Sequence, residues 1–547
     1  MTARRRKFWG WGFEDQQPPQ SEVERAGRGA REHLGFAPAK VERPPALEAL
    51  DLPAPRIEAP AALAEIFATD TYERALHTYG RAYRDVVRAF RGRFDNPPDV
   101  VAHPRDEHEL EGVLEWCAEA GVAAIPFGGG TSVVGGVEAR VSQGAAVSLD
   151  MKAMSRVLEV DRESRAARIQ AGATGPELEL ALKEHGLTLR HYPQSFEFST
   201  LGGWIATRAG GHFATLHTHI DDFVESVRAI TPSGAWESRR LPASGAGPSP
   251  DRMLIGSEGI LGVITEAWVR VQDAPTHKES AAVLFDSFSD GAGAVRALAQ
   301  TRLFPTNCRL LDPGEAALTA SAPAGKALLV LGFEGCDEVG GAMAQALDRC
   351  REAGGTQRER RGESEAAWRE AFLSAPYLRD TLIAAGVLAE TFETAITWER
   401  FDGFVDAVRG AAEDALGGDG RVTCRLTHVY PDGAAPYFTV LAPARRGDEL
   451  DQWEQIKIAA SEAIIAAGGS ITHHHAVGRD HRRWYDRQRP DQFAAALRAA
   501  KAAVDPRGIL NPRRPARPMT PRRSPARAST GGRRAARPGW PGSRASG

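Results

Sequence analysis

Cysteine is scarce in this chain, five in 547 residues, and Cys117, Cys308, Cys336, Cys350 and Cys424 stand far apart. That spacing offers neither a zinc motif nor a disulfide framework, and it fits a reducing compartment. No uninterrupted apolar run approaches the roughly 20 residues that a membrane-spanning helix needs. The opening Met1-Thr2-Ala3-Arg4-Arg5-Arg6-Lys7 is basic, but no apolar core or small-residue cleavage site follows, so it does not read as a secretory signal. No internal repeat is visible. Acidic residues are missing from Pro512 to Gly547, where ten arginines occur. The chain's net charge of −3 therefore leaves about −13 for the residues before that stretch. Rich in Pro, Ala, Ser, Gly and Arg, residues 512–547 read as a disordered, solvated tail with no specific nucleic-acid partner expected.

Hydrophobic residues make up 42% of the chain, ordinary for a globular protein, and the length calls for more than one domain. Glycine is abundant at 56 residues, and much of its pattern lies in three segments. The first, Pro126-Phe127-Gly128-Gly129-Gly130-Thr131-Ser132-Val133-Val134-Gly135-Gly136, follows the apolar run 122–125. Glycines let backbone N–H groups turn toward an anion with no Cβ in the way, and Thr131 and Ser132 add hydroxyl donors. The loop therefore suits a phosphate. It is not a P-loop, because no Lys-Ser/Thr follows at the required spacing, and Val133 stands where a dinucleotide fingerprint needs glycine. Ser195 to Gly211 and Gly256 to Thr265 repeat the glycine-and-hydroxyl character. Near the end stands Thr472-His473-His474-His475-Ala476-Val477-Gly478-Arg479.

Carrying these four motifs, the chain from about Phe8 to Asn511 resembles the flavoprotein oxidoreductases of the vanillyl-alcohol-oxidase type, and among them the alkylglycerone-phosphate synthases. Alternating short strands and helices around the glycine loop imply an α+β fold. The resemblance implies a two-part FAD-binding domain, an α/β cap (substrate) domain and a helical N-terminal extension. The expected divisions are a helical N-terminal region over 1–95, the FAD-binding domain over 96–273 and the cap over 274–470. The active-site histidine segment and the return to the FAD domain follow over 471–511, ahead of the tail. Thr71 to Phe90 reads as a helix, Asp106 as the cap of a helix running to Ala120, and His473 to His475 as part of a strand. The rhythm after Asp273 is βαβ-like.

By the same resemblance, Pro126, Phe127, Gly128, Gly129, Gly130, Thr131, Ser132 and Gly135 form the pyrophosphate loop. Ser199, Thr200, Gly202, Gly203, Thr207 and Arg208 run beside the flavin, and Glu258, Gly259 and Ile264 lie near its adenosine and ribityl portion. Many relatives tether the flavin through a His or Cys in or near such loops. Neither occurs between Pro126 and Gly136, so non-covalent FAD is expected.

On a strand, His473 and His475 would share one face and His474 the other. Histidine near a flavin can take or return a proton, since its unperturbed pKa lies near neutrality. No Asp, Glu or Cys partner or helical spacing marks a metal site, so none is expected, and His212, His217 and His219 read as ordinary core or surface histidines. The resemblance places His474 and His475 in the active site and leaves open which is the base. It usually has Gly where Ala476 stands. It also assigns Tyr437 to the leaving fatty acid and Arg379 and Arg309 to the substrate head group, a role that suits arginine because its planar fork pairs with phosphate oxygens.

The implied reaction exchanges the acyl group of acyl-dihydroxyacetone phosphate for a long-chain alcohol, with the flavin as electron sink and no net redox. The alternative is an FAD-linked oxidase or dehydrogenase of a hydroxy acid or other alcohol, although the His-x-His-x-Gly-Asp pattern of flavin D-2-hydroxy acid dehydrogenases is missing. The chain ends Arg-Ala-Ser-Gly rather than in the peroxisomal Ser-Lys-Leu, which favours a cytoplasmic enzyme. An apolar tunnel for long chains, peripheral contact with a membrane at most, and a homodimer complete the expectations.

Overall fold

In the computed structural model, residues 4–35, 40–140, 144–318, 322–358 and 376–512 are described. The chain divides into two units, Met1–Arg514 and Pro515–Gly547, and the expected disordered tail lies outside the described residues but for Pro512. Among the described residues, four sheets organise the first unit.

The first sheet runs Phe67–Ala68, Val100–Ala102, Ala146–Asp150, Ala123–Phe127, and its last three strands are parallel. Helix Glu107–Ala120 makes the crossover between Val100–Ala102 and Ala123–Phe127. Asp106 starts it by accepting the Glu109 N–H, and Gly121, at φ 67, ends it. Every residue of Val100–Ala102 and Ala146–Asp150 is buried, as parallel strands covered on both faces require. The first glycine loop leaves the carboxyl end of this sheet, the edge where open α/β sheets bind ligands.

A five-stranded antiparallel sheet follows, in the order Val157–Asp161, Ala166–Gln170, Val263–Arg270, Val224–Thr231, Gly234–Glu237. Helices Gly175–Lys183 and Leu201–Thr207 share its core through Leu178, Leu182, Leu201, Trp204 and Ile205. A short two-stranded pair, Leu187–Thr188 with Gln272–Asp273, accompanies it.

The largest sheet has eight strands, ordered Thr356–Gln357, His277–Phe285, Ala327–Gly335, Asn307–Leu311, Arg421–Val429, Gly433–Pro443, Val387–Glu393, with Ile396–Thr397 paired to Gly433–Pro443. Helices Phe288–Ala299, Gly340–Glu352, Phe401–Leu416 and Glu449–Ala466 contribute to its core. All its pairings are antiparallel, whereas a βαβ rhythm suggests adjacent parallel strands. The unit is split: His277–Phe285 and Asn307–Leu311 run the same way, and Ala327–Gly335 inserts between them.

Two local expectations change. The helix expected over Thr71–Phe90 is two helices, Thr71–Leu76 and Tyr83–Phe90. The break carries Gly80, where a Cβ would stand 2.1 Å from the Ser132 carbonyl oxygen, and Arg81, whose N–H donates to that oxygen at 2.6 Å. Docking on the glycine loop takes precedence over helix continuity. The strand expected at His473–His475 is an irregular loop, for a reason that belongs to the site.

Candidate active site

A cavity of about 680 Å³ opens beside the carboxyl end of Ala123–Phe127, within the range of cofactor and substrate sites. Pro126 to Ser132, Ser199, Thr200, Gly202, Gly203, Thr207, Glu258, Gly259 and Ile264 line it. Gly129 has no room for a side chain, since a Cβ would lie 1.9 Å from the Phe198 carbonyl oxygen. Two anticipated residues stand off the cavity wall. Gly135, at φ 66, turns beneath the Arg84 guanidinium. Arg208 caps the helix Leu201–Thr207 and pairs with Asp221 at 2.7 Å, its side chain 57% exposed. The pairing with the buried Asp221 holds it off the cavity wall.

The loop fits a diphosphate. Among the described residues, the backbone N–H groups of Gly129, Gly130, Thr131 and Ser132 have no acceptor, although Gly129 and Gly130 are buried. Buried N–H groups require partners, and successive N–H groups on a glycine turn form an anion nest. The cofactor's phosphate oxygens would supply the acceptors.

The histidines reach the cavity by an unusual turn. Glu393, fully buried at the end of Val387–Glu393, accepts the Thr472 hydroxyl at 2.6 Å and the backbone N–H groups of His473, His474 (3.2 Å) and His475 (2.9 Å). Successive N–H groups of a strand point to opposite sides, so three in a row cannot converge on one carboxylate unless the strand is abandoned. His474 and His475 consequently line the cavity together. His473 is turned aside, with Nε2 at 2.8 Å from the Tyr430 hydroxyl and Nδ1 at 2.9 Å from His474 Nδ1. His219 is not a bystander, because its Nε2 meets the His473 carbonyl at 3.0 Å and its ring lies 4.4 Å from that of His473. His428, His473 and His474 bring ligand-capable nitrogens within 4.8 Å of one another, a cluster the sequence did not reveal. Nε2 of His428 is engaged by the Gly211 carbonyl at 3.0 Å, so hydrogen bonds account for much of this stack.

Burial, against the pull of Glu393, lowers His475 to about 4, and it pushes His473, His474 and His428 well below the usual imidazole range. All four are neutral near pH 7 and have a nitrogen lone pair to offer. Burial also works against the charge of Glu393, but His475, His473, the Thr472 hydroxyl and the loop N–H groups outweigh it and hold the carboxyl at about 2.

Opposite these imidazoles stand Tyr437 and three arginines. The Tyr437 ring centroid is 5.6 Å from that of His475 and 6.2 Å from that of His474. Arg425, opposite Tyr437 in the strand register, lays its guanidinium 4.0 Å from the Tyr437 ring centre and pairs with Glu315 at 2.5 Å. Arg309, 1% exposed, donates to the His212 carbonyl at 2.6 Å. Burial and the neighbouring Arg425 charge push its pKa well down, a penalty that an anion in the cavity would relieve. Arg379, on the helix over 376–384, donates to the Arg81 carbonyl at 3.0 Å and the Thr391 hydroxyl at 3.2 Å. Tyr437 and all three arginines line the cavity. Elsewhere its wall is apolar, formed by Ala26, Gly29, Ala30 and Leu34 of helix Gln20–Leu34 with Leu382 and Leu441, and it includes the exposed Leu318 and Leu378.

Sequence reasoning missed Glu393, Arg425, Glu315 and His428, and also an N-terminal strap. Arg6 donates to the Gly129 carbonyl at 2.7 Å, Lys7 pairs with Asp380 at 3.3 Å, and Trp11 lines the cavity while its backbone N–H donates to Asp380 at 2.9 Å. Arg81 donates to the Gly10 carbonyl at 2.8 Å, so strap, glycine loop and Arg379 form one framework. The alternation of Thr423, Arg425 and Thr427 could have flagged Arg425 as facing the same side as its polar neighbours.

Two family descriptions match the chain: "FAD binding domain" over residues 98–238 and "FAD linked oxidases, C-terminal domain" over residues 274–514. The chain is 31% identical over 481 residues to the alkyldihydroxyacetonephosphate synthase of Dictyostelium discoideum, spanning 81% of this chain and 77% of that protein. It is 30% identical over 476 residues to the synthase of Trypanosoma brucei brucei, with the same coverage of each chain. A solved structure of alkyldihydroxyacetonephosphate synthase superposes with a TM-score of 0.79 at 26% identity, covering 93% of this chain and 98% of that one.

Proposed function

Since this chain belongs to the alkyldihydroxyacetonephosphate synthase family of FAD-linked oxidases, we propose that it exchanges the acyl group of acyl-dihydroxyacetone phosphate for a long-chain alcohol. The observation that carries this reading is one cavity in which phosphate-binding glycine loops, neutral histidines, a tyrosine, three arginines and an apolar wall meet. A simple hydroxy-acid oxidase has no use for the apolar part.

The first glycine loop holds the FAD diphosphate, and the segments around Ser199–Thr207 and Glu258–Ile264 hold the rest of the cofactor without a covalent tether. When bound there, FAD supplies a ring that takes up and returns an electron pair without net oxidation. His474 or His475 accepts the proton from the carbon bearing the ester and returns a proton to that carbon once the alcohol has added. Tyr437, with the Arg425 cation against its ring, manages the proton of the departing carboxylate. Arg309 and Arg379 hold the phosphate dianion through paired, charge-assisted hydrogen bonds. Helix Gln20–Leu34 with Leu382 and Leu441 shelters the acyl and alkyl chains. The ester carbon–oxygen bond breaks, a carbon–oxygen bond to the alcohol forms, and the alcohol's proton leaves with the fatty acid, so the exchange balances without an electron acceptor.

Anaerobic incubation of the yellow holoenzyme with acyl-dihydroxyacetone phosphate and hexadecanol, followed by mass spectrometry, tests this. Alkyl-dihydroxyacetone phosphate and free fatty acid in equal amounts are expected. No ether product, with flavin bleaching by hydroxy acids instead, would transfer the protein to the oxidoreductase reading. Acid precipitation should release all the flavin into the supernatant, whereas colour retained in the pellet would refute non-covalent binding. Among the described residues no helix is long and apolar enough to cross a membrane. Leu318 and Leu378 on the cavity wall support uptake of lipid from a membrane surface, which vesicle flotation would detect. The homodimer remains a proposal to be checked by light scattering.

A further inference from the structure

Residues 472–478 lie in no helix or strand, so their N–H groups depend on acceptors brought from elsewhere. Two carboxylates share that task. Glu258 accepts from Val477 at 3.1 Å and Gly478 at 2.8 Å, at the exit of the loop. Glu393 takes the entry, and unlike Glu258 it also stands behind the imidazoles, 3.7 Å from His474 Nδ1 and 3.6 Å from His475 Nδ1. We infer that Glu393 is the positioning residue of the proton-handling loop: its one carboxylate gathers the backbone of His473, His474 and His475 and sets a fixed negative charge behind the two imidazoles that line the cavity.

The surroundings explain why that charge is needed. His475 is faced by Lys457, Arg379 and Arg425, all of which oppose a proton on it. His474 is faced by His475, His473, His219 and Arg309, and His428 and Tyr437 pack against it. His481 also feels the charges of Lys457 and Glu393 and the His475 imidazole. A proton arriving on His475 thus meets three cationic side chains and one arriving on His474 meets Arg309, and of the two carboxylates that bind the loop Glu393 is the one beside both imidazoles. An opposite charge within 4–6 Å favours the protonated form by about 1–3 pKa units.

The inference rests on the reading that one of these histidines takes the substrate proton. Its test compares holoenzymes of wild type, Glu393→Gln and Glu393→Asp, each checked for FAD content and melting temperature. In Glu393→Gln, kcat/KM for ether formation should fall about ten- to hundredfold. Its acid limb should move at least one unit to lower pH, because the imidazolium has lost its counter-charge. Glu393→Asp keeps the charge and should hold the limb at the wild-type position while kcat falls severalfold. An equal loss at every pH with an unmoved limb, or no loss at all, overturns the inference. If Glu393→Gln does not fold, Glu393→Asp carries the test, and a limb displaced in that variant overturns it. Failure of wild type to form ether would sink the functional reading alone. In that case 13C-histidine NMR of the holoenzymes decides, with the His475 signal, assigned through His475→Asn, expected to titrate at lower pH in Glu393→Gln. Identical titration in both proteins overturns the inference whatever the reaction.

Discussion

Ala476 sits at φ 72, where an L-residue's Cβ crowds the following carbonyl. The position is held from both sides, by its own carbonyl accepting His481 Nδ1 at 2.9 Å and by Glu258 binding the next two N–H groups. Ala476→Gly relieves roughly 1 kcal/mol of strain. It also returns roughly 0.4–1 kcal/mol of freedom to the unfolded chain. Thermal unfolding should therefore shift by less than about 1 kcal/mol, and a larger loss would mean that the methyl group packs. Arg309 offers a sharper prediction. Arg309→Lys keeps the charge but loses the fork, so KM for the phosphate-bearing substrate should rise about tenfold to a hundredfold, the value of a charge-assisted hydrogen bond. An equal rise for an analogue without the phosphate would refute the head-group role.

Among the elements, helix Gln20–Leu34 gives the cavity part of its apolar wall, and Gly29 lies on that wall with open space where a Cβ would stand. Gly29→Leu should therefore narrow the chain-binding part and raise preference for shorter alcohols, with no loss of melting temperature, because leucine is also the better helix former. Unchanged selectivity among decanol, hexadecanol and octadecanol would move the chain-binding region elsewhere. The elements also show how far the sequence could be read. The first glycine loop was legible because close approach, as at Gly129 against Phe198, demands glycine and leaves a mark in composition. Helix Glu107–Ala120 was legible because its cap is local, Asp106 to Glu109. The histidine loop was not. Three identical residues carry no alternation, and the carboxylate that turns their N–H groups inward lies 80 residues away from His473, brought there by the register that pairs Glu393 with Tyr437. Nothing in Val387–Glu393 marks its last residue as more than a polar strand end.

Across the whole molecule, the buried titratable groups set the response to acid. Burial lowers His191 and His481 to about 3 and His475 to about 4, and it pushes His428, His473 and His474 well down. Unfolded, these six would bind protons near pH 6.5. Between about pH 6.5 and 4 the unfolded chain therefore holds more protons than the folded one, and stability falls as pH falls. Asp380 and Asp480 act in the opposite sense. Burial raises each to about 6, so the folded chain keeps their protons between about pH 4 and 6, and the stability they contribute is lost as pH rises through 6. Six imidazoles outweigh two carboxyls. Below about pH 4.5, Glu393 and Glu138, both held at about 2, add to the loss. The melting temperature of the holoenzyme should decline steadily from pH 7 to pH 5, at constant FAD and salt. Restoring neutral pH should recover it, provided the flavin has not been lost. A melting temperature flat over that interval would show that these histidines gain compensating partners on protonation, and would count against the neutral imidazoles on which the proposed proton transfer depends.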